Sequence, residues 1–253
     1  MQVVGYETAS GPEESGALLV VTDGQVERHE LAPSVELDFR LGNRRCAGTL
    51  DGDEHVQCDT PAGPYCEAHN RTWVCARCTG TCLKDEMDCY EEHAVYLAAF
   101  APATFKVGVT RLWRLETRLY EQGADRAAHL HTVSNGRIAR ELEAEIAETL
   151  TDRVRIPTKV DSLHQEVDGE AWQAVLDRHD PIETKTLDHG VQTGTRPVQE
   201  TVASGEVRGV KGRLLVVENG GSTYAVDLRD LVGYELRQGE TERTLQSSFG
   251  AFE

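Results

Sequence analysis

Lysine is scarce in this chain, and the scarcity indicates the environment in which the protein works. The only lysines are Lys84, Lys106, Lys159, Lys185 and Lys211, so arginine carries most of the positive charge. The 43 acidic residues outnumber the 26 basic ones, and the 253 residues carry a formal net charge of −17. Carboxylates keep a surface hydrated in concentrated salt, which also screens their mutual repulsion. We interpret the charge as an adaptation to salt; the alternative is an ordinary acidic protein.

Long apolar runs are also missing from the sequence. No stretch of about 18 apolar residues is present, so we expect no membrane-spanning helix and no membrane partner. The first residues, MQVVGYETASGPEESG, have neither a basic start nor an apolar centre, and we therefore expect no signal peptide and a cytoplasmic location. Because the cytosol keeps thiols reduced, the seven cysteines are better explained by metal binding than by disulfides.

All seven cysteines lie in one polar, turn-rich segment, residues 46–93. The tightest pattern is Cys66-x2-His69 followed by Cys75-x2-Cys78, and such two-residue gaps let paired thiolate and imidazole ligands face one tetrahedral Zn²⁺. The ligands suffice for one or two structural zinc sites, and their assignment to individual ions stays open. The alternatives are buried free thiols or a redox pair at Cys75 and Cys78. The candidate metal ligands are Cys46, Cys58, Cys66, His69, Cys75, Cys78, Cys82, Cys89 and His93.

Both ends of the chain are predicted to form β-structure. Residues 16–41 alternate apolar and polar side chains around Asp23-Gly24, which is a hairpin signal, and Asn219-Gly220-Gly221 is a strong turn signal near the other end. We expect the two ends to pack together as a small sheet or barrel. The predicted organisation is an N-terminal β-segment (1–45), a zinc-binding module (46–93), an α/β core (94–160), a helix and linker (161–204) and a C-terminal β-segment (205–253).

The predicted α/β core alternates short strands with helices. A strand at Ala94–Phe100 contains Tyr96, and after a turn a second strand ends in Lys106-Val-Gly-Val-Thr110. A helix follows, then a strand at His129–Val133 and a helix at Ile138–Leu150. The last helix is predicted to pack through one apolar face, formed by Ile138, Leu142, Ile146 and Leu150.

A local excess of positive charge occurs in this core. Residues 105–140 contain seven basic and three acidic side chains, an excess of four, although the whole chain has a net charge of −17. The spacing predicts that one helix face carries Arg111, Arg114 and Arg118. Together with Lys106 they are candidates for binding nucleic-acid phosphates. The alternative is a solvated helix face with ordinary ion pairs such as Arg114–Glu121.

The same residues resemble the core of the GIY-YIG nucleases. Val95-Tyr96-Leu97 matches the first tripeptide of that family, and Lys106-Val107-Gly108 matches the second. Arg118 matches the helix arginine, and Glu143 best matches the metal-binding glutamate, with Glu141 and Glu145 as alternatives. The resemblance implies that Tyr96, Lys106, Arg118 and Glu143 surround a scissile phosphate, with Mg²⁺ or Mn²⁺ held by the glutamate.

A second resemblance covers most of the chain. The stretch from Cys46 through KVGVTR and EQGA, and the later GVKGRLLVVENG and LVGYEL, are similar to the uncharacterised family DUF2797. The composition resembles that of proteins from salt-loving archaea. We predict an α+β fold in which the zinc-binding Cys/His module precedes a small GIY-YIG-like α/β core, with β-segments at both ends.

Two departures bear on activity. Lys106 stands where the GIY-YIG pattern has a second tyrosine, and no asparagine matching that pattern follows the glutamate helix, where residues 155–159 read RIPTK. We therefore expect a zinc-containing nucleic-acid-binding protein, with metal-dependent phosphodiester cleavage left open. The competing hypothesis is a non-enzymatic, zinc-stabilised scaffold for protein contacts.

Overall fold

The chain forms two compact units in a computed structural model. The structure describes residues 1–11, 13–52, 54–70, 75, 81–84, 88–239, 241 and 243–247. One unit, here called the terminal unit, consists of Met1–Arg71 and His189–Glu253, and the other, the central unit, spans Thr72–Asp188. The boundary at Arg71 divides the cysteine-rich segment, so its first three cysteines belong to the terminal unit and the others to the central unit.

The terminal unit is built on an 11-stranded sheet. Its strands from the first half of the chain are β1 Gln2–Glu7, β2 Ala17–Thr22, β3 Gln25–Glu30, β4 Glu36–Arg44, β5 Thr49–Asp51 and β6 Glu54–Val56. Those from the second half are β11 Val198–Gln199, β12 Ala203–Lys211, β13 Leu214–Asn219, β14 Ser222–Asp227 and β15 Tyr234–Gln238, with the short helix α5 Leu228–Leu231. The strand order is β11-β14-β13-β12-β4-β15-β1-β2-β3-β6-β5.

The two ends of the chain share this sheet, as the sequence predicted. Strand β1 pairs with β15, and β4 pairs with both β12 and β15, always antiparallel. The inward side chains form one apolar core that draws on both halves, including Leu18, Val20, Leu215 and Leu231. The alternation of apolar and polar residues in the segment 16–41 corresponds to β2, β3 and β4.

The two predicted turns form where the sequence places them. Strands β2 and β3 are joined by Asp23-Gly24, and β13 and β14 by Gly220-Gly221. Gly220 and Gly221 have φ values of 56° and 76°, a left-handed conformation that suits the twist of a two-residue hairpin and that glycine adopts without steric cost.

The central unit is a four-stranded antiparallel sheet with helices on both faces. Its strands are β7 His93–Phe100, β8 Thr104–Arg111, β9 Arg126–Val133 and β10 Glu183–Thr186, in the order β10-β9-β7-β8. Its helices are α1 Leu115–Gln122, α2 Gly136–Ile146, α3 Ile156–Asp161 and α4 Gly169–Leu176, and a 3-10 turn at Leu112–Arg114 precedes α1. The whole chain is thus a strand-rich α+β protein.

Side chains on β7 divide between two cores. Val95 and Leu97 pack with Ala139 of α2 and Trp172 of α4. Tyr96 and the other residues in alternate positions belong to a second cluster, with Leu119 and Tyr120 of α1. The strand is apolar along almost its whole length because both of its faces are buried. The second cluster places Tyr96 beside α1, where the candidate site lies.

The predicted apolar face of α2 is only partly correct. Leu142, Ile146 and Leu150 do pack against the core, but α2 ends at Ile146, and Ile138 is 39% exposed. Ile138 lies in the first turn of α2, whose N-cap is Asn135, and in this turn Gly136 and Ala139 are buried instead of Ile138. Of the helices that the structure describes, none is long and apolar enough to cross a membrane.

Candidate functional site

Three cysteines and one histidine of the terminal unit converge on one point. The Sγ atoms of Cys46, Cys58 and Cys66 and a ring nitrogen of His69 all lie within 4.8 Å of one another. His69 Nδ1 is 3.3 Å from Cys46 Sγ and 3.2 Å from Cys66 Sγ. Tetrahedral zinc with Zn–S and Zn–N bonds of about 2.3 and 2.0 Å separates its ligand atoms by about 3.5 Å or slightly more. The four side chains are therefore close enough to hold a metal such as zinc.

Backbone hydrogen bonds shape this cluster. Cys46 follows β4, and its Sγ accepts hydrogen bonds from the amides of Gly48 and Cys66, at 3.4 and 3.3 Å. Burial raises the pKa of the Cys46 thiol, and these N–H donors act in the opposite direction because they favour the thiolate, the form that binds a metal. Cys66 and His69 lie on one turn, in which the His69 amide donates to the Cys66 carbonyl at 3.0 Å. The three cysteine sulfurs and the imidazole nitrogen thus suit a closed site with four protein ligands.

The sequence left the sorting of the candidate ligands open, and the structure groups four of them. Cys66 and His69, which the spacing pairs, lie together, and the side chains that join them are Cys46 and Cys58. Cys75 lies in the central unit, and Cys78 is outside the described residues. The end of β4 and the β5–β6 hairpin bring the two ligands from a distance, which local spacing does not reveal.

The remaining candidates, Cys82, Cys89 and His93, also belong to the central unit. Cys89 Sγ and His93 Nε2 each lie 3.0 Å from the position that a Cβ would occupy at Gly136. The two ligand atoms are therefore neighbours. Within the described part of the chain, however, the Cys46 group is the only set of three or more potential ligands that meets at one point.

Tyr96 is the centre of a second cluster, in the central unit. It is only 1% exposed and pairs across the sheet with Gly108 of β8. A Cβ at position 108 would lie 2.6 Å from the phenol oxygen, so only glycine lets the ring lie over β8. The phenol oxygen accepts a hydrogen bond from Gln122 Nε2 of α1 and also interacts with Arg118. Burial raises the pKa of Tyr96, and the Arg118 charge partly offsets this.

Lys106 lies on the same face of the sheet as Tyr96, two residues before Gly108. Partial burial, together with repulsion from Arg118, lowers its pKa to about 8, although the charges of Glu143 and Asp152 act in the opposite direction. The amine therefore changes its charge at a pH of about 8 instead of near the ordinary lysine pKa of 10.5.

Glu143 reaches this cluster from α2. Its side chain is 12% exposed and forms an ion pair of 2.5 Å with Arg140. Arg140 also donates to the carbonyl of Cys75 at 3.3 Å. The Glu143 charge acts on both Tyr96 and Lys106. Electrostatic interactions thus link Tyr96 and Lys106 with both Arg118 and Glu143, four residues that the sequence singled out.

The three arginines do not lie on one helix face as predicted. Arg111 is the last residue of β8 and pairs with Glu91 at 3.2 Å, because the helix begins only after the 3-10 turn. Arg114 and Arg118 do share a surface, since both bind Glu121, at 2.6 and 3.0 Å. Two cations on a single carboxylate leave a local excess of positive charge, and Arg118 also interacts with Tyr96.

Sequence reasoning missed two residues that shape the cluster. Gln122 lies four residues after Arg118 on α1. This spacing puts both side chains on one helix face, so the sequence could have predicted that they lie together. Arg140 lies three residues before Glu143 on α2, which is likewise an ion-pair spacing. Gln122 acts through its hydrogen bond to Tyr96, and Arg140 acts through its ion pair with Glu143.

Comparisons with known proteins identify a family but no characterised relative. The family described as "Protein of unknown function (DUF2797)" matches residues 57–194, more than half of the chain. No curated protein matches the sequence, and no solved structure matches it.

Proposed function

The chain belongs to the DUF2797 family, and we propose that it is a nucleic-acid-binding protein whose central unit holds backbone phosphate between Lys106 and Arg118. In this proposal, the cluster around Tyr96 is the phosphate site. The Cys46–Cys58–Cys66–His69 group holds a structural Zn²⁺ in the terminal unit.

The observation that carries the proposal is the position of two cations that repel each other. Lys106 and Arg118 lie close enough for the arginine to lower the lysine pKa, and both are partly withdrawn from water. The charged form of Lys106 is therefore disfavoured in the free protein, whereas Glu121 partly balances Arg118 at 3.0 Å. An anion between the two side chains removes the repulsion and replaces the lost hydration, and phosphate offers several acceptors to an arginine fork.

The arrangement of elements supports the same proposal. The central unit runs strand, strand, helix, strand, helix from β7 to α2, which is the order in which the GIY-YIG resemblance places its residues. Tyr96 and Gly108 pair directly across β7 and β8. Arg118 lies on the helix that follows and Glu143 on the later one. A GIY-YIG-like core remains part of the proposal.

Phosphodiester cleavage is a second candidate function, favoured by the lowered pKa of Lys106. At pH 8 about half of the amine is neutral, and a neutral amine can accept a proton from water or from a hydroxyl group. Glu143 is the residue that would hold Mg²⁺ or Mn²⁺, and its ion pair with Arg140 must open for that. Binding of phosphate requires no such change, so we place binding before cleavage.

The zinc proposal rests on the chemistry of the donor set. Four protein ligands complete a tetrahedral shell, so no position remains for a reacting water, as in structural rather than catalytic zinc sites. The ion would tie together the end of β4, the β5–β6 hairpin and the turn at Cys66–His69, a segment with few apolar residues of its own.

Binding of fluorescent oligonucleotides tests the proposal. Duplex, branched and single-stranded DNA and single-stranded RNA are titrated with the wild-type chain, Lys106→Met and Arg118→Ala, at the lowest salt that keeps the protein folded. We expect each substitution to weaken binding by about tenfold, as for loss of one charged phosphate contact. Arg137→Ala removes an exposed arginine that pairs with Glu141 on α2 and is the matched control.

The outcomes separate the competing functions. Equal affinities of the wild type, both cluster variants and the control would show that this cluster does not bind nucleic acid. Absence of binding by the wild type would instead favour the non-enzymatic scaffold. Incubation with Mg²⁺ or Mn²⁺ shows whether the bound strand is cut, and cleavage that persists in Glu143→Gln would exclude the metal role of that residue.

A further inference from the structure

Trp113 is an exposed aromatic residue next to the phosphate cluster. It lies in the 3-10 turn between β8 and α1, and 69% of it is exposed. Its indole N–H donates to Glu91 Oε2 at 3.3 Å. The indole is therefore anchored through its nitrogen while most of the ring surface remains in contact with water. Tryptophan is usually well buried, so an anchored and exposed ring requires an explanation.

A continuous line of contacts connects Trp113 with Tyr96. The Arg114 guanidinium lies 5.9 Å from the centre of the Trp113 ring and binds Glu121 at 2.6 Å. Glu121 also binds Arg118, which interacts with the Tyr96 phenol. Trp113, Arg114 and Arg118 thus lie in a row along the start of α1, and the row ends at the candidate phosphate site.

A second exposed aromatic residue extends this surface. Tyr90 is 72% exposed and immediately precedes Glu91. Glu91 holds both Trp113 and Arg111, the latter at 3.2 Å. The surface therefore combines flat apolar rings with guanidinium groups. Rings of this kind stack with unpaired bases, while arginines neutralise the phosphates between them.

We infer that Trp113 is a stacking platform for an unpaired base of the strand whose phosphate enters the Lys106–Arg118 site. The substrate class is accordingly single-stranded nucleic acid, or a duplex with an unpaired end or branch. This inference rests on the proposed function, which it makes more specific. In a blunt duplex every base is already stacked on its neighbours, and Trp113 offers it no comparable contact.

The test compares Trp113→Ala and Trp113→Phe on two probes of equal length, a single-stranded oligothymidine and a blunt DNA duplex. We expect Trp113→Ala to weaken single-strand binding by about tenfold or more and to change duplex binding by less than about twofold. Trp113→Phe keeps an aromatic face and should retain most of the affinity. Ile182→Ala is the control, since Ile182 is an apolar residue of the same unit and is 62% exposed.

Each result has one meaning. If Lys106→Met weakens binding but Trp113→Ala binds the single strand like the wild type, the stacking inference is wrong while the proposed function stands. A loss of equal size on both probes would also overturn the inference, because stacking on an unpaired base cannot produce it. If neither probe binds the wild type, the proposed function fails together with the inference.

Discussion

Lys106 is the residue in which function and stability oppose each other. Its lowered pKa means that the folded protein disfavours the charged amine. Below pH 8 the lysine is protonated in both the folded and the unfolded state, so the folded state carries the whole penalty. Between pH 8 and the ordinary lysine value the folded state releases its proton first, so this contribution makes stability rise with pH.

Lys106→Met should therefore stabilise the protein while weakening nucleic-acid binding. We expect the free energy of unfolding at pH 7 to rise by about 1–2 kcal/mol, less than the full pKa shift implies because water still reaches the amine. Chemical denaturation at pH 7 measures this change. Lys185→Met, which removes an exposed lysine near Glu116 and Glu183, should leave stability almost unchanged. A destabilised Lys106→Met variant would contradict our account of this site.

Gly108 tests the packing of Tyr96. An alanine methyl group there would lie 2.6 Å from the phenol oxygen and 2.7 Å from the adjoining ring carbon, so the buried ring must shift. We expect Gly108→Ala to lower the free energy of unfolding by about 1–3 kcal/mol, as overpacking does. Gly169→Ala is the comparison. Gly169 is the first residue of α4, and a Cβ there would have a single near neighbour, an arginine nitrogen at 3.7 Å. Equal stability of the two variants in thermal unfolding would disprove the close approach.

The residues of this cluster were largely predictable from the sequence. The resemblance to the GIY-YIG core singled out Tyr96 and Gly108, and these two residues pair across β7 and β8 in the structure. Lys106 and Arg118 were also notable as cations in an acidic chain. The altered pKa of Lys106 could not be predicted, because it depends on the burial and on the distances to Arg118 and Glu143 that only the folded chain defines.

The candidate metal centre draws its four side chains from several elements. We expect a purified chain to contain zinc, and Cys58→Ser to lose one equivalent of it and to unfold at a lower temperature. Cys58 lies at the less buried side of the group, so its substitution disturbs the core less than that of Cys46. Metal analysis together with thermal unfolding provides the measurement.

The control for this prediction is a neighbouring histidine outside the ligand group. His55 of β6 contacts the Ala47 carbonyl at 2.7 Å, and His55→Gln should retain the metal. A chain free of zinc, or a Cys58→Ser variant with the full metal content, would refute the assignment.

The spacing of residues in the sequence identified Cys66 and His69 as a pair but did not link them to Cys46 and Cys58. The topology of the sheet explains this difference. Cys66 and His69 occupy one turn, so two intervening residues suffice to orient both side chains. Cys46 and Cys58 arrive from the end of β4 and from the segment after β6, and their positions depend on strand pairing across the sheet. Pairing between distant strands leaves no local signal, so spacing alone does not distinguish Cys46 and Cys58 from the cysteines after His69.

The net charge of −17 acts on the whole molecule. Self-repulsion among 43 carboxylates opposes compactness, and salt shortens the Debye length from about 10 Å at 0.1 M to about 3 Å at 1 M. We expect the unfolding temperature to rise steadily between 0.1 and 2 M KCl. Nucleic-acid affinity should fall over the same range, because binding releases counterions. An unfolding temperature that is independent of salt would identify the chain as an ordinary acidic protein.

The pKa of Lys106, measured with and without nucleic acid, tests the central claim most directly. With only five lysines, ¹³C-lysine labelling yields few side-chain NMR signals, and the spectrum of Lys106→Met assigns the relevant one. The account predicts a pKa of about 8 in the free protein and a higher value when a saturating oligonucleotide places phosphate beside the amine. A pKa near 10.5 in the free protein, or one that does not change on binding, would contradict it.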